Sequence, residues 1–249
     1  MTAMMTEIPH TPVSSPQGEP DRLLGRRLRA VIFIAPLAIV IACVAMCIPP
    51  QSRRFYEWLT DENSPVEMLT FLLALAAAVM GARFVIALVR RRQRFAAGFY
   101  ILFALGMFFI GMEEISWGQQ LFGWKTPETW GQVNAQGETT LHNFGPFQGH
   151  NDILRFAFGF GGLFGLAVAP LLPRLRVLFP NRILVMWFLV IAGISAAQLY
   201  CDAVPNGPLV GPLNKVGDRL AEVVELLITI AAVLYLWLNA RALRARREP

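Results

Sequence analysis

Residues 95–116 read FAAGFYILFALGMFFIGMEEIS and join the two features on which the whole chain depends. The first 18 residues carry no charge, close to the ~20 apolar residues that a helix needs to cross a hydrocarbon core of ~30 Å. The run ends in two adjacent carboxylates, Glu113 and Glu114, and a polar stretch with three tryptophans then continues to Asn143. The sequence therefore predicts a membrane helix with a polar site at its end.

Five further apolar runs have a similar length, and they cover residues 28–48, 65–89, 153–172, 183–201 and 220–240. The chain of 249 residues is 55% hydrophobic and 16% charged, against the roughly 25% charged residues of soluble domains. Its mean hydropathy is +0.48. Because basic residues separate the runs, we expect an all-α, polytopic membrane bundle of six transmembrane helices rather than a large soluble helical protein.

The spans define three parts of the chain. Residues 1–27 are rich in Pro, Ser and Thr and are expected to form a disordered tail. Residues 28–240 are expected to form the transmembrane domain, with its long polar loop at 116–152, and residues 241–249 a short basic tail.

Charge indicates how the spans are oriented. Fifteen arginines lie in the two tails and in the connections after the second and fourth spans, which all fall on one side of a six-span protein. The positive-inside rule puts that side, and both termini, in the cytoplasm. Loop 116–152 is then on the outer face, which for the inner membrane of a bacterium is the periplasm.

Acidic residues gather at the opposite ends of the spans. They are Glu67, Glu113, Glu114, Asp152, Asp202, Glu222 and Glu225. A carboxylate inside a membrane span costs about 2.5–3.5 kcal/mol on insertion scales, so such groups usually face a cavity or a partner. Their recurrence at one level predicts a polar pocket that opens outwards.

Four residues are candidates for catalysis, namely Glu113, Glu114, His142 and Glu225. Carboxylates and imidazole can transfer protons, and together they can bind a divalent metal. Glu114, His142 and Glu225 form the preferred metal set, and the lesser candidates are Glu67, Asp202, Glu222 and His150. The alternative for each is structural: Glu113 or Glu114 can hold the outer loop, and Arg219 can pair with Glu222. The sequence leaves the cofactor unknown beyond a divalent metal.

Candidate substrate-binding residues come from the polar stretch, and they are Trp117, Gln120, Asn134, Gln136, Glu138 and Asn143. Tryptophans at helix ends also form the aromatic belt of membrane proteins, and amides also cap turns. In the fourth span, Gly161, Gly165 and Ala169 repeat every four residues, a spacing that predicts close approach of a neighbouring helix.

Several functional classes are disfavoured. The chain has no phosphate-binding glycine loop, no His-Glu-x-x-His and no Gly-x-Ser-x-Gly. Its excess of five positive charges is scattered over loops, so we expect no nucleic-acid partner. The three cysteines do not form a disulfide framework.

Two segments carry a resemblance to a known family. EEISWGQQLFGWKTPE, followed by NAQGETTLHN, resembles the signature of an uncharacterised group of bacterial multi-pass membrane proteins, and ENSPVEMLT at residues 62–70 resembles that group's entry to its second span. The resemblance implies a bacterial inner-membrane protein and no particular activity. A weaker likeness is to the ceramidase-like membrane hydrolases, which hold zinc at a membrane face, but this chain has six predicted spans instead of seven and lacks their paired His-x-x-x-His.

Three functions follow as alternatives. The first is a membrane-embedded hydrolase or transferase, with or without a metal, that acts on a lipid or lipid-linked substrate. The second is a non-catalytic partner in an envelope complex, and the third is a small transporter or ion-binding protein. Beyond the lipid bilayer itself, the sequence does not name a partner or an oligomeric state.

Overall fold

The computed structural model describes residues 24–61, 64–128, 139–140, 151–207 and 210–245, without the side chains of 212–219. Most of the predicted N-terminal tail and the last four residues lie outside these ranges. The described elements are helices, namely α1 (Arg26–Met46), α2 (Pro50–Thr60), α3 (Pro65–Arg90), α4 (Arg94–Glu114), α5 (Asn151–Val168), α6 (Val185–Ala203) and α7 (Val210–Ala245), with short 3₁₀ and α turns between them.

Six of the described helices are long and apolar enough to cross a membrane, and they coincide with the six predicted spans. This confirms the all-α, six-helix fold expected of an integral membrane protein. Two connections differ from the prediction. The segment 51–64, expected to be a polar connection, contains α2, and α7 begins at Val210, ten residues before the predicted span. Pro212, in the first turn of α7, is compatible with this early start, because the first amides of a helix have no intrahelical acceptor.

Helix α1 is held to the bundle at a proline. Pro36 has no N–H, so the carbonyl oxygen of Ile32 lacks its usual donor one turn later. The indole Nε1 of Trp187 on α6 donates to that oxygen at 2.8 Å, and Trp187 is buried. The proline therefore creates an acceptor through which α6 fixes α1.

Helices α3 and α4 form a tightly packed antiparallel pair. A reciprocal capping box starts α3: the side chain of Ser64 accepts from the backbone of Glu67, and the Glu67 carboxylate accepts from the backbone of Ser64. Small residues then let the two backbones approach. A Cβ added at Gly81 would lie 3.1 Å from the Cβ of Ala104.

Glycines also bring α5 onto α6, through Gly159 and Gly162 rather than the predicted Gly161. A Cβ at Gly159 would overlap Ala192, and one at Gly162 would overlap the ring of Phe188, whereas one at Gly161 would meet nothing within 4 Å. The prediction that Gly161 faces a neighbouring helix is therefore wrong. Gly159 and Gly162 face α6, and the predicted Gly165 lies on the same side of α5, where a Cβ would be 3.2 Å from Pro180 in the segment before α6.

Helix α7 is the most buried of the spans and packs against α3 and α6. At the arginine-rich end of the bundle it joins α4 in a hydrogen-bonded group, which we call the tyrosine cluster: Tyr100, Tyr235 and Asn239. Towards its other end, α7 carries Glu222 and Glu225.

Candidate functional site

Three carboxylates meet where α4 ends beside α7. Oxygens of Glu114, Glu222 and Glu225 all lie within 4.8 Å of one another, and we call this group the carboxylate cluster. Glu114 is the last residue of α4, while Glu222 and Glu225 are three residues apart on α7 and so share a face. All three side chains are partly buried.

Helix α3 adds a fourth acidic group to this region. Glu67 lies in its first turn, where the helix dipole favours an anion, and its Oε2 accepts from the backbone N of Ser64 at 3.3 Å. A Cβ at Gly111 on α4 would lie 3.4 Å from the carbonyl oxygen of Phe71 on α3, so Glu114 and Glu67, each about one turn further on, lie at the same level. The capping box therefore also positions a carboxylate at the edge of the cluster.

Helix α5 contributes the basic side chain of the site. Arg155 donates through Nε to Glu225 Oε1 at 3.0 Å, and its Nη2 donates to the same oxygen. Nη1 donates to Asp152 Oδ1 at 3.1 Å. Only 12% of the Arg155 side chain is exposed, so water screens these pairs poorly. Arg155 therefore connects α5 to α7.

The neighbouring Glu113 belongs to a different contact. It is buried and accepts a hydrogen bond from the indole Nε1 of Trp117, whose ring packs edge-on against Phe109. Ser116 and Trp117 have positive φ angles, +47° and +54°, so the chain leaves the helix abruptly here. Glu113 thus holds the turn after α4, while Glu114 enters the carboxylate cluster.

Gln119, which the sequence analysis did not select, fixes the polar stretch. Its Oε1 accepts from the backbone N and the Oγ1 of Thr139, both at 2.9 Å, and its amide also bonds to Thr126. The selected neighbour, Gln120, donates to Ser116 Oγ at 3.5 Å. Nothing in the pattern distinguishes the two glutamines, because only the direction of the turn decides which one faces the loop.

Several predicted site residues lie outside the described residues. They are His142, His150, Asn134, Gln136, Glu138 and Asn143. Of the preferred metal set, Glu114 and Glu225 come together, and Glu222, a lesser candidate, joins them. Asp202 is exposed at the end of α6 and is not part of the carboxylate cluster, and the role of His142 stays a prediction.

Two buried hydroxyls are also of interest. Oγ1 of Thr70 and Oγ of Ser195 are inaccessible and have no hydrogen-bond partner among the described residues. Thr70 follows Glu67 by three residues and so lies on the same face of α3. The sequence offered no signal for either, because single hydroxyls are common in membrane helices.

The carboxylate cluster is chemically an oxygen-rich, anionic site beside the guanidinium of Arg155. Such a donor set suits hard cations and can also share protons between carboxyl groups. Comparisons of the chain with models of protein families, with curated proteins and with solved structures gave no match.

Proposed function

We propose that this integral membrane protein binds a divalent cation at Glu114, Glu222 and Glu225. The observation that supports the proposal is the 4.8 Å limit on the separation of their oxygens. Oxygen ligands lie about 2.0–2.6 Å from Mg²⁺ or Ca²⁺, so two ligands of one ion are at most about 5 Å apart. The three carboxylates need little movement to share one ion.

Electrostatic repulsion gives the same indication. Two unit charges 4.8 Å apart repel by about 3.5 kcal/mol at an effective dielectric constant of about 20. Arg155 offsets part of this charge at Glu225, and protons or a cation can offset more of it. A divalent cation bound between the three carboxylates would reduce the repulsion within each pair.

The donor atoms favour particular metals. Carboxylate oxygens suit Mg²⁺, Mn²⁺ and Ca²⁺, whereas zinc sites usually contain nitrogen or sulfur ligands. A contribution from His142 would shift this preference towards zinc or another transition metal. We therefore expect the purified protein to retain Mg²⁺, Mn²⁺ or Ca²⁺ in preference to zinc.

Metal analysis tests the proposal directly. Protein purified without chelator should contain about one equivalent of Mg²⁺, Mn²⁺ or Ca²⁺, or take it up on titration, and Glu114→Gln and Glu225→Gln should each abolish the uptake. Glu57→Gln is the matched control, because Glu57 is exposed on α2 and pairs with Arg53. Wild type that takes up no cation while folded would refute the proposal.

Arg155 favours a second candidate, a metal-dependent hydrolase or transferase acting on a lipid or lipid-linked substrate. A guanidinium beside a bound cation suits a phosphate group, since both can neutralise its oxygens. The test is to incubate the protein with phospholipid vesicles and Mn²⁺ and to identify products by mass spectrometry. Products that form equally with Glu114→Gln would exclude this site as their source.

We also infer that both termini face the cytoplasm and that loop 116–152 lies outside. The fifteen arginines on one side support this orientation. The family resemblance supports the inner membrane of a bacterium, in which the loop is periplasmic. Reporter fusions at Gly137 and Pro173 should report opposite sides, with Gly137 outside, and reporters on the same side would contradict the topology.

A further inference from the structure

Helix α2 presents two large aromatic side chains away from the protein. Phe55 is 53% exposed and Trp58 is 60% exposed, and their ring centroids are 5.6 Å apart. The helix connects the ends of α1 and α3, both of which are membrane spans, so it lies at the level where the spans leave the bilayer. Exposed aromatic side chains at that level are typical of the membrane–water interface.

The other side of α2 is fixed to the bundle. Tyr56 is buried, with 1% of its surface exposed. Oγ of Ser52 donates to the carbonyl oxygen of Met46 at 2.9 Å, which ties the start of α2 to the end of α1. The rotation of α2 about its axis is therefore set by the protein.

The orientation of α2 determines the side of the helix on which each remaining side chain lies. At about 100° per residue, Phe55, Trp58 and Leu59 form one arc, and Arg54 lies about 40° beyond Trp58. Arg53 lies on the opposite side from Phe55, where its Nε pairs with Glu57 Oε1 at 2.9 Å. Around the helix, the order is thus an apolar arc, a single arginine at its border, and a neutralised pair.

We propose that α2 is an in-plane interfacial helix that binds an anionic phospholipid. Phe55 and Trp58 lie among the upper acyl chains, and Arg54 binds the phosphate at headgroup level. The apolar arc continues the lipid-facing surface of the spans, since Ile48 before α2 and Leu69 on α3 are 78% and 45% exposed. This proposal is independent of cation binding at the carboxylate cluster.

The two adjacent arginines provide a matched test. Both are exposed, and Arg54→Gln and Arg53→Gln make the same change in net charge. Only Arg54 borders the aromatic arc, whereas Arg53 is already neutralised by Glu57. A bound lipid distinguishes the two variants, and a general electrostatic attraction does not.

The experiment uses the full chain in nanodiscs of phosphatidylcholine that contain a minor fraction of brominated lipid. The fluorescence of Trp58 is obtained as the difference between wild type and Trp58→Phe. Brominated phosphatidylglycerol should quench Trp58 with an apparent enrichment about fivefold above brominated phosphatidylcholine, as one arginine at an anionic surface implies. Arg54→Gln should remove this preference and Arg53→Gln should keep it, with unchanged melting temperatures.

Three results would overturn the proposal. Absence of quenching by both lipids would place α2 outside the bilayer, under water or a protein partner. Equal quenching by both lipids would show an interfacial helix without a site for an anionic headgroup. Equal loss of preference in the two arginine variants would show that α2 senses only net charge.

Discussion

The two ends of the α4–α7 pair hold polar side chains in opposite ways. In the tyrosine cluster, the Tyr100 hydroxyl donates to the Val177 carbonyl at 2.7 Å, and the Tyr235 hydroxyl lies 2.9 Å from both the Leu178 carbonyl and the Tyr100 hydroxyl and can donate its one proton to either. Asn239 adds a donor to Val177, and all these groups are neutral amides and hydroxyls. At the other end, about 21 Å along α4 from Tyr100, Glu114 meets two more carboxylates.

This difference between the two clusters indicates which of them stabilises the bundle and which binds a ligand. A buried neutral network with matched donors and acceptors needs nothing further and fixes the helices in one arrangement. Clustered carboxylates repel one another, and a counter-charge such as Arg155, a proton or a cation offsets the repulsion, so a bound cation should strengthen the bundle. We therefore assign a structural role to the tyrosine cluster and the ligand site to the carboxylate cluster.

The largest effect is expected at the tyrosine cluster. Tyr100→Ala removes its hydrogen bonds and its stacking on Phe84, whose ring centroid is 4.7 Å away. The free energy of unfolding should fall by about 3–5 kcal/mol, as for other large-to-small changes at buried aromatic sites. Denaturant unfolding in mixed micelles measures this, with Leu102→Ala, 73% exposed on the same helix, as the control. Similar losses for both would show that the cluster is not a structural centre.

A smaller loss is expected when the counter-charge of the carboxylate cluster is removed. Arg155→Met leaves Glu225 and Asp152 without their shared partner and should destabilise the protein by about 2–4 kcal/mol. Adding Glu225→Gln should recover much of this loss, because the charge that needed the arginine is then absent. A double variant no more stable than Arg155→Met would indicate that packing of the long side chain, rather than charge, is important at this position.

The sequence predicted the spans and the acidic end of the bundle. Long uncharged runs predict the six spans, because crossing a bilayer demands that length and polarity. The cost of burying carboxylates predicts that acids cluster at one level near the helix ends. Both features depend only on where apolar and acidic residues lie along each helix, which the sequence gives directly.

The rotation of each helix about its axis was harder to obtain. Glu113 and Glu114 are equivalent in the sequence, yet one bonds to Trp117 and the other enters the carboxylate cluster. Gly161 and Gly162 are equally small, yet only Gly162 faces Phe188. Such choices depend on packing between distant segments, as does the contact of Arg155 with Glu225, 70 residues away.

Glu114→Gln should move stability and binding in opposite directions. Without added cation and at alkaline pH, where the cluster holds the fewest protons, the loss of one charge should raise the free energy of unfolding by about 1–2 kcal/mol, through weaker repulsion. With saturating Mn²⁺ or Ca²⁺, wild type should gain stability and the variant should not, because only the wild-type folded state binds the ion. Thermal unfolding in both conditions gives the comparison. Destabilisation of the cation-free variant would mean that Glu114 is a structural hydrogen-bonding group.

The smallest change in the free energy of unfolding is expected for two buried threonine hydroxyls, one with a hydrogen-bond partner among the described residues and one without. Thr70 Oγ1 has no partner among the described residues, whereas Thr229 Oγ1 donates to the Leu226 carbonyl at 2.9 Å, and both side chains are buried. Valine has nearly the shape of threonine, so Thr229→Val should cost about 0.5–1.5 kcal/mol through the lost bond. Thr70→Val removes a buried polar group without a bond and should be neutral or stabilising by about 1 kcal/mol.

Unfolding of both valine variants with and without cation also tests whether the Thr70 hydroxyl takes part in cation binding. Thr70 lies one turn from Glu67, at the level where α3 packs beside the end of α4. If its hydroxyl serves the bound state, through water or the ion itself, Thr70→Val should reduce the stabilisation by cation while Thr229→Val leaves it unchanged. If the two variants gain equally from cation, the Thr70 hydroxyl plays no part in the site, and the ligand set ends at the carboxylates. If Thr70→Val is instead the more destabilised variant without cation, Thr70 already has a partner in the folded protein and belongs with the saturated polar groups.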